Sequence, residues 1–322
     1  MRSLKKVTER IRQFGGLRLI RAYMKLDMGG LMLRQAWKIV RGQETVDEAY
    51  GQLRNVAAQH LLRQYGTLMQ QLSRIYWETT LEQQHTNKVW VCWLQGFEKA
   101  PELVKTCVAS MKKYLVDKEI VLLSYQNYRD YAVLPDYIVD KYEKGMIPPA
   151  LFSDLLRLEL LIRHGGTWMD ASILCTGSHY PKEIMDCDLF MFQAMKKGDP
   201  RFYGTSNWFI TACTNNKPLM VLRDVLLQYW QDYDCTLDYY LFHDFFFEIA
   251  QLFPDEIAAM PRKNRLLPLM VLEHNGNIPN NEWLTELKKR CCFHKLNYRL
   301  PNMTEAAKAL SSRSEERRVG KE

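Results

Sequence analysis

Asp154, Arg157 and Asp170 fall close together in FSDLLRLELLIRHGGTWMDAS, the stretch from Phe152 to Ser172. Asp154 and Arg157 stand three apart, a spacing that puts both on one face of a helix. They are surrounded by Leu155, Leu156, Leu158, Leu160, Leu161 and Ile162. An exposed pair of this kind is worth only a few tenths of a kcal/mol. In so apolar a setting the charges are costly unless they meet each other or a ligand. Gly165 and Gly166 follow, suited to a left-handed helix end and to close backbone approach. TWMDASIL then alternates, with Trp168, Asp170 and Ser172 expected on one face of a strand and Met169, Ala171 and Ile173 on the other. An ionised Asp170 at the end of a buried strand needs a cation, a helix N-terminus or several donors. Paired carboxylates at positions 170 and 172 would hold a metal. Ser172 instead offers a hydroxyl, which ligates a hard cation weakly and adds no charge.

The elements expected to position these groups alternate between strand and helix. VWVCWLQG (residues 89–96) is a short apolar run ended by glycine, as for a buried first strand of a parallel sheet. PELVKTCVASMKKYL opens with Pro101 at a first helical position, EIVLLS (119–124) reads as a second strand, and LPDYIVDKYEKG as a helix running into Gly145. FMFQAM (190–195) and NWFITAC (207–213) are further strands. PLMVLRDVLLQYW and LDYYLFHDFFFEIAQLF read as long helices. This order predicts an α/β fold with ligands at the carboxyl ends of the strands.

The chain of 322 residues is 47% hydrophobic, enough for one large domain with or without an appendage. Its eight cysteines show no CxxC pairing, which reads as a reduced, cytoplasmic protein. No secretory leader or apolar run of membrane-spanning length is expected. Residues 1–41 carry eleven Lys or Arg against Glu9 and Asp27, so the net charge of +7 is concentrated there and the rest is near neutral. A near-neutral body argues against nucleic-acid binding. The basic segment also holds Leu17, Ile20, Met24, Leu33 and Trp37, which suits a helix lying on an anionic membrane surface, with a docked or dimerising helix as the alternative. Residues 42–86 read as helical and polar, a connector or the second arm of a hairpin. SSRSEERRVGKE, at 311–322, is polar and aperiodic, reads as vector-derived, and is expected to add nothing to the fold.

The pattern S-D-x-x-R-x-x-x-L-x-x-x-G-G-x-W-x-D, carried by Ser153, Asp154, Arg157, Leu161, Gly165, Gly166, Trp168 and Asp170, resembles the sugar-binding region of retaining glycosyltransferases. Relatives include the initiating mannosyltransferases and the glucosylating clostridial toxins. The bacterial capsular polysaccharide synthesis branch is the most similar, through WVCWLQGFEKAPELVKTCVASMKKY, SNWFITA, YYLFHDFFFEI and CFHKLNYRL, over roughly residues 85–300. The resemblance implies a GT-A nucleotide-diphospho-sugar transferase fold at 87–300; composition sets a basic helical extension at 1–86 before it and a disordered, in part non-native tail at 301–322 after it. It implies transfer, with retention, from a nucleotide-sugar donor to a surface polysaccharide or lipid-linked glycan, at the inner face of the plasma membrane. Asp154 and Arg157 would contact ribose and sugar hydroxyls. Asp170 would hold Mn²⁺ or Mg²⁺ or meet a sugar hydroxyl, and the metal's other ligands would be Ser172, the diphosphate oxygens and His243 or His294.

Further donor contacts are expected from Trp90 and Trp93, by stacking or as ordinary core, and from Gln95 and Gly96 past the first strand. Asn207 and Trp208 would lie near the donor sugar, and Lys295 near the diphosphate. His243, in an aromatic helix, reads as an acceptor contact or a core residue. Rival functions are a phosphosugar transferase releasing UMP or CMP, and a non-catalytic subunit that kept the fold.

Overall fold

The computed structural model describes residues 16–195 and 204–312. The basic residues before Gly16 and the final stretch from Arg313 lie outside the described residues. In chain order the elements are α1 (Leu17–Lys25), α2 (Gly29–Val40), α3 (Val46–Glu78), β1 (Lys88–Cys92), α4 (Glu102–Tyr114), β2 (Glu119–Leu123), α5 (Asp136–Glu143), α6 (Pro149–His164) and β3 (Gly166–Met169). There follow β4 (Ile173–Cys175), β5 (Leu189–Gln193), β6 (Thr205–Ala212), α7 (Lys217–Asp232), α8 (Leu241–Ala250), α9 (Pro254–Ala259), α10 (Leu266–Glu273), α11 (Asn281–Arg290), β7 (Phe293–Lys295) and α12 (Met303–Ser311). Among the described residues they form two compact units, one from 16–83, 132–163 and 214–259, the other from 84–131, 164–195, 204–213 and 260–312.

The first unit is helical. A capping box starts α3: the Glu48 backbone N–H donates to Thr45 Oγ1 at 3.2 Å, and the Thr45 N–H donates to the Glu48 carboxylate at 2.8 Å. Ala57, Leu61, Tyr65, Met69 and Ser73 recur every four residues along its buried side, facing α7 and α8. The segment read as helical, a connector or the second arm of a hairpin, is a packed helix over Val46–Glu78, and a one-residue-wide stripe suffices to bury it. Tyr65 donates to Asp232 at 2.7 Å and Tyr76 donates to Asp224. Helix α7 is capped by Asn216, which accepts from the Leu219 N–H at 3.3 Å. The stretch expected as one long helix from Leu237 begins instead at Leu241, after a turn in which Asp238 accepts from the Tyr240 N–H at 2.7 Å.

The second unit is built on a five-stranded sheet in the order β2-β1-β3-β6-β5. Parallel pairing places Trp90 opposite Val121 on one side and opposite Trp168 on the other. Strand β6 runs antiparallel to both β3 and β5. The sheet is thus mixed and mostly parallel, not wholly parallel; continuous apolar strands report burial on both faces, not direction. Val89, Val91, Met169, Phe190 and Phe209 pack in one core with Val104, Val108 and Met111 of α4.

TWMDASIL is not one strand: β3 stops at Met169, the chain turns, and β4 leaves the sheet to pair antiparallel with β7. Leu174 of this ribbon packs with Leu103, Leu287, Leu296 and Met303. Helix α12 buries Met303, Ala306, Ala307 and Leu310, so the fold continues past residue 301, where a tail was expected. No helix among the described residues is long and apolar enough to cross a membrane.

Candidate active site

Strand β1 is followed through α4 by β2 on one side, and the chain then returns to place β3 on the other side of β1. The order reverses between β1 and β3, and in open α/β sheets ligands usually bind outside the carboxyl ends of the strands at such a point. Those two ends carry Trp93 to Gly96 and Asp170.

Gly165 and Gly166 make this junction possible. Both have positive φ, 65° and 92°, and a Cβ on Gly166 would lie 2.3 Å from the Lys88 carbonyl oxygen. Expected as donor-binding positions, they are fully occupied in joining α6 to a strand pressed against β1. The Gly165 carbonyl also accepts from the Trp90 indole at 2.9 Å.

At the end of β3, the Asp170 backbone N–H donates to the Trp208 carbonyl at 2.9 Å, and the Ile173 N–H closes a turn onto the Asp170 carbonyl at 2.9 Å. The Trp168 indole donates to Asp170 Oδ1 at 3.0 Å. Lys295 Nζ donates to Asp170 Oδ2 at 2.6 Å and to Ser172 Oγ at 2.8 Å. Backbone pairing fixes the lysine there: Lys295 is opposite Ile173, and the Leu296 N–H donates to the Ser172 carbonyl at 2.9 Å. The side chains of Lys295 and Asp170 remain 17% and 27% exposed. Asp170, Ser172 and Lys295 thus form one polar cluster, with Trp208 at its edge. The role of Trp168 in orienting the carboxylate was not anticipated; an indole two residues before an acid in a strand was its signal.

Other expected positions are dispersed. His294 is opposite Leu174 and fully buried, with Nε2 3.1 Å from Thr176 Oγ1. Burial, helped by the Lys288 charge, holds its pKa down at about 3. Trp90 is fully buried, edge-on to Tyr131, so its ring is core and not a stacking platform. Trp93 is half-buried, edge-on to Tyr298 with ring centroids 5.1 Å apart, and its indole N–H has no hydrogen-bond partner among the described residues. Gln95 is exposed, while Gly96 is buried at φ 89° under the Glu98 side chain. Asn207 is half-buried on β6, and Trp208 stacks on Phe192 at 5.0 Å.

Within the helical unit, the Arg157 guanidinium lies 3.1 Å from Asp154 and donates to the Ser153 carbonyl and hydroxyl at 3.2 and 3.0 Å. His243 sits on α8 between the rings of Tyr240 and Phe242. Next to it, burial and the Asp238 charge raise the Asp244 pKa to about 6.

At Asp170 a single carboxylate and a hydroxyl both accept from an ammonium. Were the expected Mn²⁺ or Mg²⁺ held there, Asp170 and Ser172 would supply two oxygens, and substrate phosphate and water would have to supply the rest. Among the described residues no group of three or more His, Cys, Asp or Glu side chains stands close enough to hold a metal.

Comparison with known proteins adds three findings. No curated protein matches the chain. A solved structure, the PaToxG glycosyltransferase, is similar over 80% of this chain and 96% of its own at 14% identity, with a TM-score of 0.36, too distant a likeness to bear on the reaction. A family model described as capsular polysaccharide synthesis protein matches residues 38–313. That match takes in the Asp154–Arg157 helix, the whole five-stranded sheet and the β4–β7 ribbon, and the chain belongs to the capsular polysaccharide synthesis protein family.

Proposed function

We propose that this chain is a glycosyltransferase on a GT-A-type sheet, moving a sugar with retention from a nucleotide-diphospho-sugar to a capsular or other surface glycan, or to its lipid-linked precursor. The observation that carries the reading is Asp170, a partly exposed carboxylate held by Trp168 and Lys295 at the carboxyl end of β3, where the strand order reverses in a capsular polysaccharide synthesis protein. A sheet of this order receives nucleotides at that edge. Trp93, half-buried with an unused indole donor, and the exposed Gln95 suit the nucleoside. Asp154 and Arg157 suit hydroxyl groups of ribose and sugar, since a carboxylate accepts from vicinal hydroxyls and a guanidinium donates directionally.

In the proposed reaction the acceptor oxygen bonds to the anomeric carbon on the face the diphosphate leaves. The bond from that carbon to the phosphate oxygen breaks, and the acceptor proton passes to the departing phosphate. The protein's part is to orient both substrates and stabilise charge.

A lipid-linked or growing-polymer acceptor is consistent with the N-terminal helices. Leu33, Trp37 and Val40 of α2 are exposed at helical spacing, flanked by Arg34 and Arg41, and the Arg41 guanidinium lies 3.9 Å from the centre of the Trp37 ring. Such a basic, aromatic stripe favours an anionic membrane surface.

The test is slow donor hydrolysis and transfer across a panel of UDP- and GDP-sugars, followed by mass spectrometry. A nucleoside diphosphate is expected as the released product, and Asp170→Asn is expected to abolish release while retaining the native circular dichroism spectrum. Release of a nucleoside monophosphate would point to phosphosugar transfer. Full transfer by Asp170→Asn would overturn the assignment.

A further inference from the structure

We infer that the groove between α10 and α11 is a carbohydrate-binding site, one that holds a short run of uncharged sugar units of the glycan acceptor. The inference rests on the proposed transferase reading and deepens it, since it gives the acceptor chain a place on the protein.

The groove has a volume of about 330 Å³, within the usual range for ligand pockets of about 300–1,000 Å³. Helix α10 lines it with Leu267 and Met270, and α11 with Glu282, Trp283, Glu286 and Arg290. Glu282, Glu286 and Arg290 are exposed and follow at intervals of four, so they stand in one row on the helix. At 1.5 Å per residue that row is about 12 Å long. Lys289 lies 3.9 Å from Glu286, whereas the side chains of Glu282 and Arg290 have no hydrogen-bond or ion-pair partner among the described residues. Trp283 is half-buried and fixed in place. Its backbone N–H donates to Asn280 Oδ1 at 2.8 Å, and the His274 ring lies against its indole with centroids 5.4 Å apart. His274 is itself held, with a ring nitrogen 2.8 Å from the Met270 carbonyl.

An apolar wall beside a polar row suits a ligand whose faces and edges differ. A pyranose ring has C–H groups on its faces and hydroxyls around its edge. The faces pack on the indole and on Leu267 and Met270. The hydroxyls donate to the Glu282 and Glu286 carboxylates and accept from Arg290, whose planar fork can meet two neighbouring oxygens. Two carboxylates and one guanidinium are a poor setting for phosphate, which disfavours nucleotides and nucleic acid. A hydrocarbon chain would desolvate the same charges without pairing them. The groove is also a firm part of its unit. Leu267, Met270 and Trp283 pack on one core with Leu174 and Leu296, and α10 lies against β7. At the start of α10 the Arg265 N–H donates to the Gln193 carbonyl, at the end of β5, at 2.9 Å. A glycan bound here is anchored behind its reacting end, which raises the effective concentration of that end at the transfer centre.

Calorimetry and affinity gel electrophoresis test this without turnover, using the surface polysaccharide of the strain that carries the gene, cut to short chains. The wild type is expected to bind it in EDTA with no nucleotide present. Glu282→Gln/Arg290→Gln, at two exposed positions, should keep the native melting temperature and weaken binding by about tenfold or more. Trp283→Ala should weaken it at least as much, and Trp283→Phe should recover part of the loss by restoring a ring. If the wild type does not bind the polysaccharide, or the double variant binds it as the wild type does, the groove is not a carbohydrate site. A wild-type dimer that the double variant loses, with no polysaccharide bound, would assign the groove to a second copy of the chain and overturn the inference. Donor hydrolysis by the wild type, run with no glycan present, reports on the transferase reading separately. Hydrolysis without glycan binding removes the groove alone; glycan binding without hydrolysis leaves the groove standing and removes the transferase.

Discussion

The Arg157 guanidinium and the Asp154 carboxylate meet at 3.1 Å within one turn of α6, and neither side chain is more than a tenth exposed. Removing one member of a buried pair takes from the other its nearest counter-charge, at a cost of up to about 3–5 kcal/mol. Arg157→Met is therefore expected to lower unfolding stability in urea by about that amount. The double variant Asp154→Leu/Arg157→Met should recover most of it. Asp154→Asn, assayed well below its melting temperature, is expected to be folded and to transfer no sugar. Normal transfer by that variant would confine the pair to a structural role.

Gly165 and Gly166 should respond differently to alanine. At Gly165 the penalty is that of a left-handed residue, about 1–2 kcal/mol. At Gly166 the added Cβ also meets the Lys88 carbonyl at 2.3 Å. Backbone cannot move aside as a flexible side chain can, so strain and overpacking together should exceed about 3 kcal/mol. Thermal melting of the two variants side by side measures the difference, and equal losses would refute the close approach of β3 to β1.

His294 makes stability depend on pH. Its pKa is lowered to about 3 in the folded protein, chiefly by burial, against about 6.5 in an unfolded chain. Between those values the unfolded state binds a proton that the folded state refuses. Stability from this residue is complete above about pH 6.5 and declines as the pH falls towards 3. From pH 7 to pH 5 the loss should be about 2 kcal/mol. His294→Leu should flatten that slope, whatever it does to stability at pH 7. An unchanged slope would show that other groups carry the acid sensitivity.

The exposed stripe on α2 predicts binding to anionic vesicles. The protein should sediment with phosphatidylglycerol-rich vesicles and not with pure phosphatidylcholine, and high salt should release it. Replacing Leu33 and Trp37 by serine should weaken binding by roughly tenfold or more, from the apolar area no longer buried. Sedimentation of that variant to the same extent as the wild type would leave the stripe to another partner.

Local chemistry made the individual elements of the sheet visible: short apolar runs gave β2, β5 and β6 to within about two residues, and β1 as well except that it stops at Cys92 and not at Gly96. The reversal of β6 was hidden, because a strand buried on both faces carries no alternation from which direction could be read. Continuous alternation through TWMDASIL concealed the turn at Asp170, since alternating residues serve a strand and a two-strand ribbon equally well. Ser172 looked like a lost metal ligand while only its neighbours in sequence were considered. Its true neighbour is Lys295, 123 positions away, and nothing short-range in CFHKLNYRL announces that pairing. The roles of Gly165 and Gly166 were half legible. Their left-handed geometry followed from position, but the surface they approach is the protein's own backbone.

The contact between Asp170 and Lys295 spans 125 positions, whereas the sheet that carries Asp170 is complete at Ala212. Contacts of long sequence separation carry the larger chain-closure cost and tend to form late. The scaffold is therefore expected to exist, in a growing or refolding chain, before the ribbon delivers its ammonium. A chain arrested ahead of Phe293 would present that sheet edge without the ammonium that donates to Asp170 and Ser172. On this topology, completion of the cluster is a matter of timing: the last piece to dock is the one that brings Lys295 to Asp170.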